Sequence, residues 1–230
     1  VFELCQSGKH RRKNELFRRA EDITTKPVRL YEAGNGTQNS NEPKTDTMIK
    51  KELLLGDEAI AWGALNAGLS GVYAYPGTPS TEITEFIQMH PLTRERGIHC
   101  NWSANEKTAL EAALGMSFVG KRALVCMKHV GMNVCADAFV NSAMTGANGG
   151  LVVVAADDPS MHSSQNEQDS RFYAKFAMIP CFEPASQQEA YEMIGEAFDF
   201  SEKYQIPVLM RVTTRMAHSR AVVEIGEPRQ

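Results

Sequence analysis

Leu151-Val152-Val153-Val154-Ala155-Ala156 (LVVVAA) is the most apolar stretch of the chain. It is too short for an ordinary helix and has no polar alternation, so it reads as a strand covered on both faces, the habit of a central strand in a parallel sheet. Outward from it, short β-rich runs alternate with longer helical ones. Toward the C-terminus come a polar stretch over 157–170, helices near 172–178 and over 187–203, and a strand over 207–213. Toward the N-terminus the order is a helix over 132–145 closed by Gly146, Gly149 and Gly150, a strand over 122–127, and a helix over 106–119 ended by Gly120. A strand over 98–102, a helix from about 79 to 89 and a strand over 72–75 precede these. The first helix covers 56–67, with acids in its first turn and Gly68 at the C-cap position. Five rounds of strand and helix predict an α/β fold: a doubly wound, mostly parallel sheet with helices on both faces and right-handed crossovers.

The 230 residues are 43% hydrophobic and 23% charged, enough for one ordinary globular core. With 24 basic against 28 acidic residues the net charge is −4, which provides no general field for gripping nucleic acid or anionic lipid, and neither partner is expected. No apolar run reaches the roughly 18 to 20 residues of a membrane span, and no charged-then-apolar secretory layout is present, so a cytoplasmic protein is expected. Cys5, Cys100, Cys126, Cys135 and Cys181 are odd in number, widely spaced and never arranged as C-x-x-C. That argues against a disulfide framework and against zinc or iron–sulfur ligation within this chain, and no metal ligand is assigned. Cys100 and Cys126 lie in strand-like apolar runs and read as buried, inert thiols.

Composition breaks near Met48. Residues 1–47 carry nine Lys/Arg and seven Asp/Glu, so the −4 of the whole chain becomes −6 over the remainder. The stretch over 33–47 is almost free of apolar residues and is expected to be a disordered linker. A short basic helix over 15–20 is conceivable before it. The expected organisation is a disordered or weakly structured tail over 1–47, one domain over 48–226 and a C-terminal tail over 227–230.

In an open parallel sheet, ligands bind beyond the carboxyl ends of the strands. After Tyr75 stands Pro76-Gly77-Thr78-Pro79-Ser80, a rigid turn into a helix that Ser80 or Thr78 is placed to cap. After Trp102, Ser103-Ala104-Asn105 leads to Glu106, which by itself reads either as a first-turn acid complementing the helix dipole or as a catalytic carboxyl. Lys128-His129-Val130-Gly131-Met132-Asn133 gathers a charge, an imidazole, a glycine and an amide at one strand end, a density of polar groups that points to a site. The stretch over 157–171 (DDPSMHSSQNEQDSR) reads as a lid or a solvated loop. No G-x-G-x-x-G follows a strand, and neither a Walker A lysine signature nor a G-x-S-x-G elbow is present, so the common nucleotide-fold and hydrolase readings lack support.

Four segments, in order, carry a resemblance: Leu53-Leu54-Leu55-Gly56-Asp57-Glu58-Ala59-Ile60-Ala61, Tyr75-Pro76-Gly77-Thr78-Pro79-Ser80-Thr81-Glu82, Asn105-Glu106-Lys107 with Ala112-Ala113, and Lys128 to Asn133. From about Lys50 to Glu224, the chain resembles the start of the large (alpha) subunit of indolepyruvate:ferredoxin oxidoreductase, of the 2-oxoacid:ferredoxin oxidoreductase superfamily. The resemblance implies a pyrimidine-binding domain for thiamine diphosphate. Pro76, Gly77, Thr78, Glu106 and Asn133 would then contact the cofactor. Thr78 would lie near the reacting centre, and Glu106 would hydrogen-bond N1′ of the aminopyrimidine, helping the ring reach the imino tautomer that removes the thiazolium C2 proton. His129, His162, Gln165 and Arg171 are candidates for substrate contacts.

What is implied for the whole enzyme is oxidative decarboxylation of an aryl pyruvate to an arylacetyl-CoA with reduction of ferredoxin. Its partners would be a beta subunit, a second alpha subunit, ferredoxin and coenzyme A. The superfamily's Gly-Asp-Gly signature for Mg²⁺ and the diphosphate is missing; Gly56-Asp57-Glu58 is the only similar string and sits in the wrong place. The Cys-rich segment for [4Fe-4S] clusters is missing too. The chain thus resembles about a third of a subunit and is expected to be inactive alone. Two alternatives stay open: a relative acting on pyruvate, 2-oxoglutarate or branched-chain oxoacids, and a non-catalytic α/β interaction module.

Overall fold

The computed structural model describes residues 50–228. The helix expected over 15–20 and the linker over 33–47 lie outside the described residues. The elements in chain order are β1 (Lys50–Leu55), α1 (Gly56–Asn66), β2 (Gly71–Ala74), α2 (Thr81–Met89), α3 (Pro91–Glu95), β3 (His99–Trp102), α4 (Glu106–Phe118), β4 (Ala123–Lys128), α5 (His129–Thr145) and β5 (Leu151–Asp157). They continue with α6 (Arg171–Ala177), β6 (Cys181–Phe182), α7 (Gln187–Tyr204), β7 (Val208–Thr213), α8 (Thr214–His218) and β8 (Arg220–Ile225).

Six strands form one sheet in the order β3-β2-β4-β5-β7-β6, and every pairing in it is parallel. β5 lies inside it, and all of its side chains are buried. Alternation along the strands divides the core in two. Val152, Val154 and Ala156 join Val72, Cys126 and Met210 beneath α1, α2 and α7. Leu151, Val153 and Ala155 join Tyr73, Val125 and Met127 beneath α4, α5 and α6. Helices therefore cover both faces, as a run without polar residues requires.

The sequence reading omitted β1, β8, the short α3 and α8, and the two-residue edge strand β6. β1 and β8 pair antiparallel in a separate two-stranded sheet, with Lys50 opposite Ile225 and Leu55 opposite Arg220. Leu54, Val223 and Ile225 from this sheet close over Ala59 and Trp62 on the outer side of α1. The opposite side of α1 sits in the main core through Ile60, Ala64 and Leu65. A helix enclosed on two sides has no polar stripe, which accounts for its nearly continuous apolar sequence.

The helix expected over 132–145 begins three residues earlier. Lys128 has an extended backbone at the N-cap, and His129 is already helical, so β4 runs into α5 with no loop between them. The capping expected of Ser80 also differs: its side chain makes no cap hydrogen bond at the start of α2. Its hydroxyl instead donates to the Gly77 carbonyl at 2.9 Å, while Thr81 Oγ1 accepts from the Gly77 N–H at 2.9 Å. The turn is locked from within, and its Thr78–Pro79 peptide is cis.

α1 and α7 meet at Gly63, where an added Cβ would lie 2.2 Å from the Tyr191 carbonyl oxygen. Gly→Ala in a helix interior ordinarily stabilises by roughly 0.5–1 kcal/mol. Here the sign is expected to reverse, with Gly63→Ala lowering the unfolding free energy by about 1–3 kcal/mol in a urea titration.

Candidate functional site at the carboxyl edge of the sheet

From β2 the chain crosses to β3 on one side, and from β4 it proceeds to β5 and β7 on the other. The order therefore reverses between β2 and β4, and the crevice beyond their carboxyl ends is the place where this architecture binds ligands. The segments that converge there include three of the four singled out in the sequence.

Across this crevice the turn after β2 touches the end of β4. A Cβ on Gly77 would lie 2.9 Å from Lys128 Cδ, so the lysine stem covers a surface that only glycine leaves open. Pro76 and Thr78 are exposed to either side. One step along, α5 presses against the start of α4: a Cβ on Gly131 would lie 2.7 Å from Glu106 Oε1 and 2.6 Å from its Cγ. Glu106 is the first residue of α4 and only 7% exposed. The N-cap role beside it belongs to Asn105, whose side chain accepts the Thr108 N–H at 2.9 Å. Glu106 is thus released from capping. Burial, with the nearby Glu106 charge adding to it, pushes the Cys135 thiol up to about 12 and leaves it inert at neutral pH. Cys126, fully buried in the opposite core, is pushed higher still by desolvation.

His129 is fully buried at the first position of α5. Its Nε2 lies 3.1 Å from the Asn166 carbonyl oxygen and 2.9 Å from Asn166 Oδ1. Two acceptors require Nε2 to carry a proton, and Nδ1 is buried without a partner. Asn133, one helical turn on and exposed, accepts the Tyr173 hydroxyl and so ties α5 to α6.

The polar stretch after β5 is anchored rather than solvated. Asp157, at the buried end of β5, accepts from the Ser170 N–H and hydroxyl and from Arg211 Nε at 2.7 Å; Arg211 also bonds Glu183. Asp158 accepts from Thr214 Oγ1 at 2.7 Å and from the Ser163 N–H at 2.8 Å. Desolvation opposes its charge, but these donors prevail and hold the carboxyl well below the usual range. The loop is thus fixed with Asn166 over His129, and His162 and Gln165 point outward, exposed. Arg171 is engaged elsewhere, with Asp169 at 2.6 Å and Glu183 at 3.5 Å.

The structure therefore joins Gly77, His129 and Glu106 through direct packing neighbours, while the Arg171 guanidinium is paired with Asp169 and Glu183. Sequence reasoning missed Asn166 as the partner of His129, Gly131 as the bed of Glu106, and the Asp157–Arg211 pair that pins the loop.

A family model described as "Pyruvate flavodoxin/ferredoxin oxidoreductase, thiamine diP-bdg" matches residues 62–229. The chain belongs to this family. Among its relatives is indolepyruvate oxidoreductase subunit IorA of Pyrococcus horikoshii, 52% identical over 178 residues that make up 77% of this chain and 27% of the relative. IorA of Archaeoglobus fulgidus is 49% identical over 189 residues, 81% of this chain and 30% of the relative. More distant is 2-oxoglutarate synthase subunit KorA of Methanothermobacter thermautotrophicus, 29% identical over 78% of this chain and 49% of the relative. A solved 2-oxoglutarate:ferredoxin oxidoreductase from Magnetococcus marinus shares the fold, with a TM-score of 0.69 at 20% identity over 77% of this chain and 32% of that one. The chain spans under a third of the length of the IorA relatives it matches. Among the described residues, no helix is long and apolar enough to cross a membrane.

Two substitutions probe the packing of this crevice. Gly131→Ala is expected to leave the fold intact while a crystal structure shows the Glu106 carboxylate displaced by about 1 Å. Arg211→Ala, which leaves Asp157 buried without its cation, is expected to cost about 3 kcal/mol in denaturant unfolding and to speed amide exchange across 158–170.

Proposed function

We propose that residues 48–226 are the pyrimidine-binding domain of a thiamine-diphosphate-dependent indolepyruvate:ferredoxin oxidoreductase. In this reading the whole enzyme converts an aryl pyruvate, coenzyme A and oxidised ferredoxin to an arylacetyl-CoA, carbon dioxide and reduced ferredoxin. One observation carries it: a carboxyl released from helix capping, nearly buried, and seated on a glycine at the switch point of a parallel sheet. The aryl pyruvate assignment is supported by relatives near 50% identity named for indolepyruvate, against 29% for the one named for 2-oxoglutarate.

The residues suit the cofactor. Gly131 seats the Glu106 carboxyl against α5, where it is held ready for a ring nitrogen, and His129 Nδ1 is a buried, unpartnered polar atom within the same cluster. Thiamine diphosphate supplies, when bound, the carbon nucleophile that attacks the 2-oxo group and takes up the electrons left by carbon dioxide. Glu106 would hold and return the proton at N1′ of the pyrimidine. Pro76, Gly77 and Asn133 would line the ring, and Thr78 would meet the substrate carboxylate. The buried His129 ring holds the loop in place through Asn166, and exposed His162 and Gln165 are the loop side chains available to the substrate. Exposed Tyr75, Met161 and Phe172 around the same edge give a second domain an apolar surface to close on and exclude water.

The diphosphate, Mg²⁺ and iron–sulfur clusters belong, in this reading, to parts of the subunit outside this chain. The partners are a beta subunit, a second alpha subunit and ferredoxin, in the cytoplasm. In the complete oxidoreductase, Glu106→Gln is expected to lower kcat for indolepyruvate by about 10²–10⁴-fold with cofactor content unchanged. Turnover near wild type would overturn the role of Glu106, and preference for pyruvate or 2-oxoglutarate in a substrate panel would overturn the aryl assignment.

A further inference from the structure

Outside the site described above, the described residues bring one other set of ligand-type side chains together. Asp57 is the second residue of α1, Glu82 the second of α2 and His218 the last of α8. Each offers one ligand atom, and these atoms lie within 4.8 Å of one another. They share the carboxyl edge of the sheet with Glu106, but α1 and α2 cover the opposite face from α4 and α5.

Asp57 is the informative member. It is fully buried, and neither carboxylate oxygen has a hydrogen-bond partner. An acid near a helix start ordinarily serves the free N–H groups of the first turn. Here Glu58 does so, accepting the Leu55 N–H at 2.7 Å while facing Arg220 at 3.6 Å. Asp57 points inward to Glu82, whose Oε2 is likewise buried without a partner. Glu82 Oε1 faces His218 Nε2 at 3.4 Å. Desolvation, aided by the charges of Glu82 and Glu58, pushes the Asp57 carboxyl well up. Carboxylates crowded in this way need either a proton or a cation between them.

The backbone is built to hold the arrangement. A Cβ on Gly56 would lie 2.2 Å from the Met216 carbonyl oxygen, so the start of α1 is seated directly on α8, with Asp57 and His218 one and two residues away from that contact. Glu82 also lines a cleft of about 350 Å³ with Glu58, Glu85, Phe86 and Met89, an acidic approach from solvent.

We propose that Asp57, Glu82 and His218 form a mononuclear site for a first-row divalent cation, bound by two carboxylate oxygens and the imidazole Nε2, with water completing the shell. A mixed oxygen and nitrogen donor set favours Zn²⁺ or Mn²⁺ over Mg²⁺ or Ca²⁺. Bond lengths near 2.1 Å require the side chains to close by about half an ångström, within the reach of Glu82 and His218, both about one-third exposed. Metal at this site clamps α1, α2 and α8 together. It is independent of the thiamine reading and of any catalytic activity.

The test uses the 230-residue chain, stripped with chelator and titrated with ZnCl₂ at pH 7.5 by calorimetry, with metal content read after dialysis. Wild type is expected to retain about one Zn²⁺ per chain and to gain several degrees in Tm. Asp57→Asn, which keeps the volume, and His218→Gln are each expected to weaken binding by at least about tenfold and to abolish the Tm shift. His99→Gln, at an exposed histidine elsewhere, is expected to change neither. Substoichiometric binding by wild type, or equal binding by wild type and Asp57→Asn, would overturn the site in favour of a neutral, protonated Asp57. Should Asp57→Asn fail to fold, His218→Gln decides in the same way.

Discussion

A strand buried on both faces has to deliver its chain back to water, and β5 does so through Asp157, a carboxylate with no solvent exposure. The charge is tolerated because Arg211, reaching across from β7, and Ser170, returning from the far end of the loop, together supply its donors. That one ionic anchor fixes both ends of the polar segment. The segment in turn places Asn166 on His129, which fixes the orientation of the imidazole and a proton on its Nε2. The geometry of the carboxyl edge thus descends from how the most apolar strand of the molecule is terminated.

The other governing constraint is the absence of side chains at the points of closest approach. Gly77 under Lys128 and Gly131 under Glu106 sit on successive elements of the crevice, and each admits a neighbour that a methyl group would displace. Residues of this kind have no side chain to bond or to carry a charge, yet they decide where the charged residues can be. Gly131 lets α5 come directly against the Glu106 side chain at the start of α4, and Gly77 does the same for the turn after β2 against Lys128.

Much of the architecture was legible because it rests on periodicity and burial. The run at 151–156 announced a two-faced strand, and Gly68 and Gly120 marked helix ends where the backbone does adopt positive φ. The β1 and β8 strands were not legible. Leu53 and Val222 are exposed on them, and two short segments separated by the whole domain pair through backbone groups that no local pattern encodes. At the crevice, Glu106 and His129 were visible as chemistry-bearing types at strand ends. Asn166 was hidden among equally polar neighbours, and only the anchoring of the loop singles it out. Asp57, Glu82 and His218 were hidden for a related reason: their proximity comes from tertiary packing of three helices and has no spacing signature. Gly131 was quoted for its neighbours, and its own role required knowing what lies above it.

The small antiparallel sheet has an architectural meaning apart from the core it covers. Because Lys50 sits opposite Ile225, the polypeptide arrives at the domain and departs from it side by side. A unit whose two gateways coincide can be joined into a longer polypeptide like a bead on a doubled thread, leaving the spacing of its neighbours almost unchanged. The same pairing acts as a latch. Strain arriving along either flanking segment falls first on peripheral backbone hydrogen bonds, far in the hierarchy of stability from the parallel sheet and its carboxyl edge.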